Sequence, residues 1–240
     1  MNVDKRTVKA AGFLYLVIIL GSVFGGILTE MYLQSHLLEG AANTADTLAT
    51  PEWSYRLGFV IYLLVYAADL ATAVIFYELL KPVNHGLALL AAFFRFAEAT
   101  ILGINLLNQF NAFTLLQGGM SMGAYGLNEP QALAAFFLAA QRSGYLISQV
   151  FFGIHCFFLG YLLIKSKYFP KILGTFLVAA SAGYLIESFS YFLLPDFESA
   201  QTVVSWISAA PAFLAEIALT YWLLFKGADV EQRFNLVNSQ

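Results

Sequence analysis

Asp69, Arg95, Glu98, His155, Glu187 and Glu216 all stand inside long apolar stretches of this chain. A charge in hydrocarbon is costly, so such groups normally face a bundle interior and mark candidate sites. Their types define the chemistry on offer. Carboxylates and histidine can exchange protons with a bound molecule, arginine can pair with a carboxylate, and a histidine with two carboxylates approaches a zinc-ligand set. Spacing narrows that range. His155 is the only histidine within an apolar stretch, with His36 and His85 expected in connections, and no HExxH-type pair is present. Cys156 follows His155 directly and points about 100° away on a helix, which is poor geometry for a nucleophile and its base. No glycine-rich phosphate loop occurs, and neither a cofactor nor a metal is expected.

The elements that must position these groups follow from composition. The 240 residues are 60% apolar and 11% charged, against about 45–50% and about 25% for a soluble domain. Apolar spans run approximately 10–29, 54–80, 86–113, 144–164, 172–194 and 203–225, each at or above the ~20 residues that cross a ~30 Å hydrocarbon core. The fold class is therefore all-α: one integral membrane domain over residues 1–240, a polytopic six-transmembrane-helix bundle. The first span is too long for a signal-peptide core, and the small residues 40–42 lie well past its end, so it is expected to be retained. The net charge of −3 and scattered basic residues give no reason to expect nucleic acid as a partner. The lipid bilayer is the expected partner.

Basic residues sort to one side of this count. Lys5, Arg6, Lys9, Lys81, Lys165, Lys167, Lys171, Lys226 and Arg233 fall together, while Glu30, Glu39, Asp46, Glu52, Glu129, Asp196 and Glu198 fall opposite, with Arg56 and Arg142. Both termini are expected in the cytoplasm. Pro51, Pro82, Pro130, Pro170 and Pro195 punctuate boundaries, as breakers of the hydrogen-bond ladder should, whereas Pro211 predicts a kink within the sixth helix. The stretch 129–141 is open to two readings: a helix lying on the outer surface, or an outward extension of the fourth span.

Helical rise of ~1.5 Å per residue places Asp69, Arg95, Glu98, His155 and Glu216 about 13–18 Å from the inner ends of their spans. Gln149, Asn105, Asn108 and Glu187 stand higher, about 24 Å or more. On the second span Tyr55, Tyr62, Tyr66, Asp69 and Tyr77 form one stripe, and on the fifth Ser181, Tyr184, Ser188 and Tyr191 align. On the third, Arg95, Glu98, Asn105 and Asn108 share a face at the 3.6-residue period. These patterns predict a central polar seam, open toward the outer side and floored by the ionisable cluster. The competing reading is an ion-pair network that sets helix register, with hydroxyls and amides as interhelical glue. Gly21, Gly25 and Gly26 suggest a small-residue packing face on the first helix.

Several whole strings carry a resemblance: KAAGFLYLVIILG at Lys9–Gly21, VNHGLALLAAFFRFAEATILGINLL at Val83–Leu107, FFGIHCFFLGYLLIKSKYFPKILG at Phe151–Gly174 and AGYLIESF at Ala182–Phe189. They resemble the family of bacterial membrane proteins described as domain of unknown function 4386. The resemblance spans nearly the whole chain and includes Arg95, Glu98, Asn105, His155, Gly174 and Glu187. It implies a bacterial inner-membrane protein of about this length and helix count, and it implies no activity.

Three functions remain in view. In the first, a small, partly apolar or lipid-like molecule is bound or transported in the seam, held by Asp69, Arg95, Glu98, His155, Glu216, Tyr62, Tyr66, Asn105, Asn108, Gln149, Tyr184 and Glu187. The second is a non-catalytic partner or sensor subunit with a structural polar core. The third is an intramembrane enzyme on a lipid-like substrate, with Glu98 or His155 as general base.

Overall fold

The computed structural model describes residues 5–38, 52–117 and 130–226. These form six helices: α1 Lys5–Leu38, α2 Glu52–Leu80, α3 His85–Leu116, α4 Pro130–Lys165, α5 Lys171–Leu193 and α6 Phe197–Phe225. All are long and apolar enough to cross a membrane. Lipid offers no partner for backbone N–H and C=O groups, so each spanning segment must satisfy its own by helical bonding. The helices overrun the apolar spans, most at α1 and α4, because hydropathy marks only the middle of a helix whose ladder continues past it. His36 is thus part of α1, and His85 opens α3 behind Asn84, whose side chain accepts from the Leu87 N–H at 3.0 Å. Neither lies in a connection. Residues 40–42 and Glu39, Asp46, Pro51, Glu129 and Arg233 lie outside the described residues.

The stretch after Glu129 resolves in favour of extension: α4 is unbroken from Pro130, a residue suited to the first turn because that N–H has no helical partner. α6 likewise continues through Pro211.

Each helix packs on its neighbours in sequence, and α6 returns to pack on α1, closing an up-and-down ring. Lipid is as apolar as leucine, so helix association depends on close packing and interhelical hydrogen bonds. Two crossings rest on glycine pairs. A Cβ on Gly58 would stand 2.9 Å from the Gly25 carbonyl, and one on Gly160 would stand 2.6 Å from that of Gly174. Backbone therefore meets backbone at the α1–α2 and α4–α5 contacts. Near its start, α1 approaches the end of α6, where Gly12 abuts Leu223 and Leu224. The two ends of the helical chain lie side by side.

That end of the ring is closed by the α4–α5 turn. Lys167 takes a left-handed φ of 61° there, and the buried Tyr168 donates from its hydroxyl to the Leu79 carbonyl at the end of α2, 2.7 Å away. Burial pushes the Tyr168 phenol above its ordinary range.

Candidate functional site

Charged side chains meet where α2, α3 and α4 converge. Asp69, on α2, and Arg95, on α3, are almost completely buried and form an ion pair between the Arg95 Nη2 and the Asp69 Oδ1. One turn along α3, Glu98 brings Oε2 to 4.0 Å from the Arg95 Nε. That is ion-pair range without a hydrogen bond. Consequently Arg95 Nε, Arg95 Nη1 and Glu98 Oε2 are buried with no hydrogen-bond partner among the described residues. A buried polar atom left unmatched costs about 1–3 kcal/mol, and more when charged.

Aromatic faces enclose the guanidinium. Its central carbon lies 4.7 Å from the Phe152 ring centre and 5.7 Å from that of Tyr15, distances at which a cation is drawn to the ring. Phe152 in turn stacks with His155 at 5.9 Å and meets Tyr184 edge-on at 4.9 Å. The Tyr184 hydroxyl donates to the Glu216 Oε1 at 3.2 Å, and Glu216 stands within electrostatic reach of Arg95 and Asp69. All six helices thereby contribute: Tyr15 from α1, Asp69 from α2, Arg95 and Glu98 from α3, Phe152 and His155 from α4, Tyr184 from α5 and Glu216 from α6.

His155 is fastened by Nδ1, 2.8 Å from the Ala91 carbonyl. A carbonyl only accepts, so Nδ1 carries the proton and, in the neutral ring, Nε2 is left to accept. The ring borders a cavity of about 10 Å³ among Ala73, Phe76, Ala88, Ala91 and Leu159, room for about one water. Among the described residues no group of three or more His, Cys, Asp or Glu side chains is placed to hold a metal.

The outer polar residues do not line an opening. They couple helices pairwise: Asn105 donates to the Gln141 carbonyl at 2.7 Å, Ser143 meets the Tyr191 hydroxyl at 2.9 Å, and Ser205 donates to Glu187 at 2.7 Å. The Tyr55 hydroxyl donates to the Gln109 carbonyl at 2.7 Å, and Gln117 to the Tyr32 hydroxyl at 3.2 Å. Asn108 serves Asn105 at 3.0 Å, and Gln149 donates to Tyr145 on its own helix at 2.5 Å. The result is a girdle of interhelical bonds in place of the expected open seam, because an amide inside lipid is satisfied by the nearest helix. The tyrosine stripe of α2 also disperses. Tyr62 packs on Gly25 and Gly26 of α1, while Tyr77 turns to His85 at 3.0 Å. Tyr66 stacks on Tyr62 at 6.0 Å and stands within electrostatic reach of Asp69 and Glu98.

Of the candidate residues, Asp69, Arg95, Glu98, His155, Tyr184 and Glu216 are linked into one core, with Tyr66 at its margin. Tyr62, Asn105, Asn108, Gln149 and Glu187 belong to helix contacts outside it. Tyr15 and Phe152 were not expected. In a chain this rich in aromatic residues nothing marks two rings as the pair beside an arginine, although the Arg95 charge itself calls for such neighbours.

Charged groups drawn inward from a ring whose outer faces are apolar make this a multi-pass helical membrane protein. The chain belongs to the family described as Domain of unknown function (DUF4386), whose model matches residues 10–227. An uncharacterised protein of Archaeoglobus fulgidus is 29% identical over 169 residues, 70% of this chain and 83% of that one. No solved structure matches.

Proposed function

We propose that the protein binds or carries a small, partly apolar molecule whose polar group is received at Arg95 and Glu98. One observation carries this reading: among the described residues, two nitrogens of a buried guanidinium and one oxygen of a buried carboxyl lack hydrogen-bond partners at the centre of the ring. A guest that matched them would offset a cost the protein bears alone. The rings of Tyr15 and Phe152 supply apolar contact for the rest of the molecule. Entry from the lipid falls beside α6, only 22% of whose most apolar stretch is buried, on its α5 side, where Pro211 leaves one turn without its ladder bond against Gly183.

The proposed setting is a prokaryotic cytoplasmic membrane with both termini in the cytoplasm. Supporting it, Lys9, Lys81, Lys165, Lys167, Lys171 and Lys226 flank helix ends that alternate to one side of the ring, the side that the positive-inside bias assigns to the cytoplasm.

A second reading, a partner or sensor subunit with a structural polar core, is favoured by how tightly that core is shut: Arg95 and His155 are each 2% exposed. Native mass spectrometry of the full chain taken from its membrane separates the two. Binding predicts a co-purifying small molecule that is lost in Glu98→Ala while the protein stays folded. A structural core predicts no such molecule and unfolding of the Asp69→Ala, Arg95→Ala and Glu98→Ala variants alike.

A further inference from the structure

We infer that the group received between Arg95 and Glu98 is a neutral hydroxyl borne on an apolar chain, which makes the ligand class a membrane-soluble alcohol. The inference rests on the binding reading above and adds to it the chemistry of the guest. The Arg95 Nε and the Glu98 Oε2 are 4.0 Å apart, and neither has a hydrogen-bond partner among the described residues. A single oxygen about 2.8 Å from each would span that gap with an angle of about 90° at the oxygen, within reach of ordinary hydrogen bonds.

That oxygen must accept from an arginine, which can only donate. Toward Glu98 it must donate if the carboxyl is ionised, or accept if it is protonated. A hydroxyl does both. A carboxylate has no proton to offer and would face Asp69 and Glu98 with like charge. An ammonium has no lone pair for Arg95 and would be repelled by it. A ketone serves Arg95 and a protonated Glu98 but leaves an ionised one unmatched, whereas a hydroxyl serves both states. The flanking rings at 4.7 and 5.7 Å already cover the guanidinium with apolar surface, and because Arg95 and Glu98 are buried the carbon chain lies against those rings only after the closed core opens along α6.

The test uses the full chain in lipid nanodiscs and a photoreactive decanol carrying a diazirine. Labelling is expected at Tyr15 or Phe152, with one label per chain. Unlabelled decanol should compete, while decanoate, decylamine and decan-2-one compete about tenfold less or worse, the factor expected when one buried polar atom goes unmatched. Glu98→Gln, which keeps an accepting oxygen, should retain labelling, and Glu98→Leu should lose it. If Glu98→Leu does not fold, the competition series in the unaltered protein decides alone. Equal competition by the acid, amine or ketone overturns the hydroxyl assignment and leaves the binding reading standing. Labelling confined to lipid-facing residues for every probe overturns both. Failure of decanol to enter, with a bridging water in an experimental structure, overturns the alcohol and leaves a resident water as the matching oxygen.

Discussion

Arg95 joins Asp69 through a single nitrogen, so the α2–α3 ion pair is monodentate and most of the guanidinium is left to other partners. Removing one member should be far worse than removing both. Arg95→Leu leaves a buried carboxylate without its cation and is expected to cost about 3–5 kcal/mol, whereas replacing both by apolar residues is often close to neutral. Unfolding of Arg95→Leu, Asp69→Leu and the double variant in mixed micelles checks this. A double variant no more stable than the worse single one would mean that the pair is not the unit.

Glycine substitutions should divide by contact. Gly160→Ala drives a methyl toward the Gly174 carbonyl, with 2.6 Å available, and an overpacked contact of this kind costs about 1–3 kcal/mol. Among the described residues, no atom beyond its own stretch of helix comes within 4 Å of a Cβ added at Gly103. Gly103→Ala should therefore be neutral or stabilise by about 0.5–1 kcal/mol, through lower backbone freedom alone. Thermal unfolding of the two variants side by side measures the difference.

The α5–α6 contact carries a built-in weak turn. Pro211 has no N–H for the Ile207 carbonyl, and Gly183 of α5 sits against that turn, where an added Cβ would stand 3.2 Å from the same carbonyl. Hydrogen bonds flank it on both sides, Ser205 to Glu187 and Tyr184 to Glu216. Backbone amides around this turn should exchange with deuterium faster than those at the centre of α4. Pro211→Ala should slow that exchange, and loss of decanol from the loaded protein with it. Unchanged exchange would remove the α5–α6 seam as the entry route.

Tyr168→Phe should lower stability by about 0.5–1.5 kcal/mol, the usual net worth of one hydrogen bond, since it deletes the bond to the Leu79 carbonyl. Burial raises the folded-state pKa of this phenol above its ordinary 10.0. Its contribution is complete below that pH and is lost as pH rises beyond it, because the unfolded chain releases the proton first. The destabilisation on going from neutral pH to pH above 10 should thus be smaller in Tyr168→Phe than in the parent, as denaturation at both pH values would show.

Part of the core is legible in the sequence. Asp69, Arg95, Glu98 and His155 were expected at one depth; the first three meet directly, and His155 joins them through Phe152. Tyr62 was grouped with them for sharing a face with Asp69, and Gln149 as part of the seam above them, yet the first turns to α1 and the second to Tyr145. Facing within a helix does not say which neighbour lies opposite. Asn105 shows the same limit: its place on the Arg95 face was correct, but its partner is a backbone carbonyl of α4, which no residue type announces.

Residence in a membrane, six crossings and their alternation were set by sequence alone, because bilayer thickness and helical rise are constants against which apolar length can be counted. Which polar groups meet, and that the core is shut, were decided only by tertiary packing. Glycine pairs determine how closely each pair of helices approaches, and small rotations about the helix axes then choose among the partners that a given face can reach.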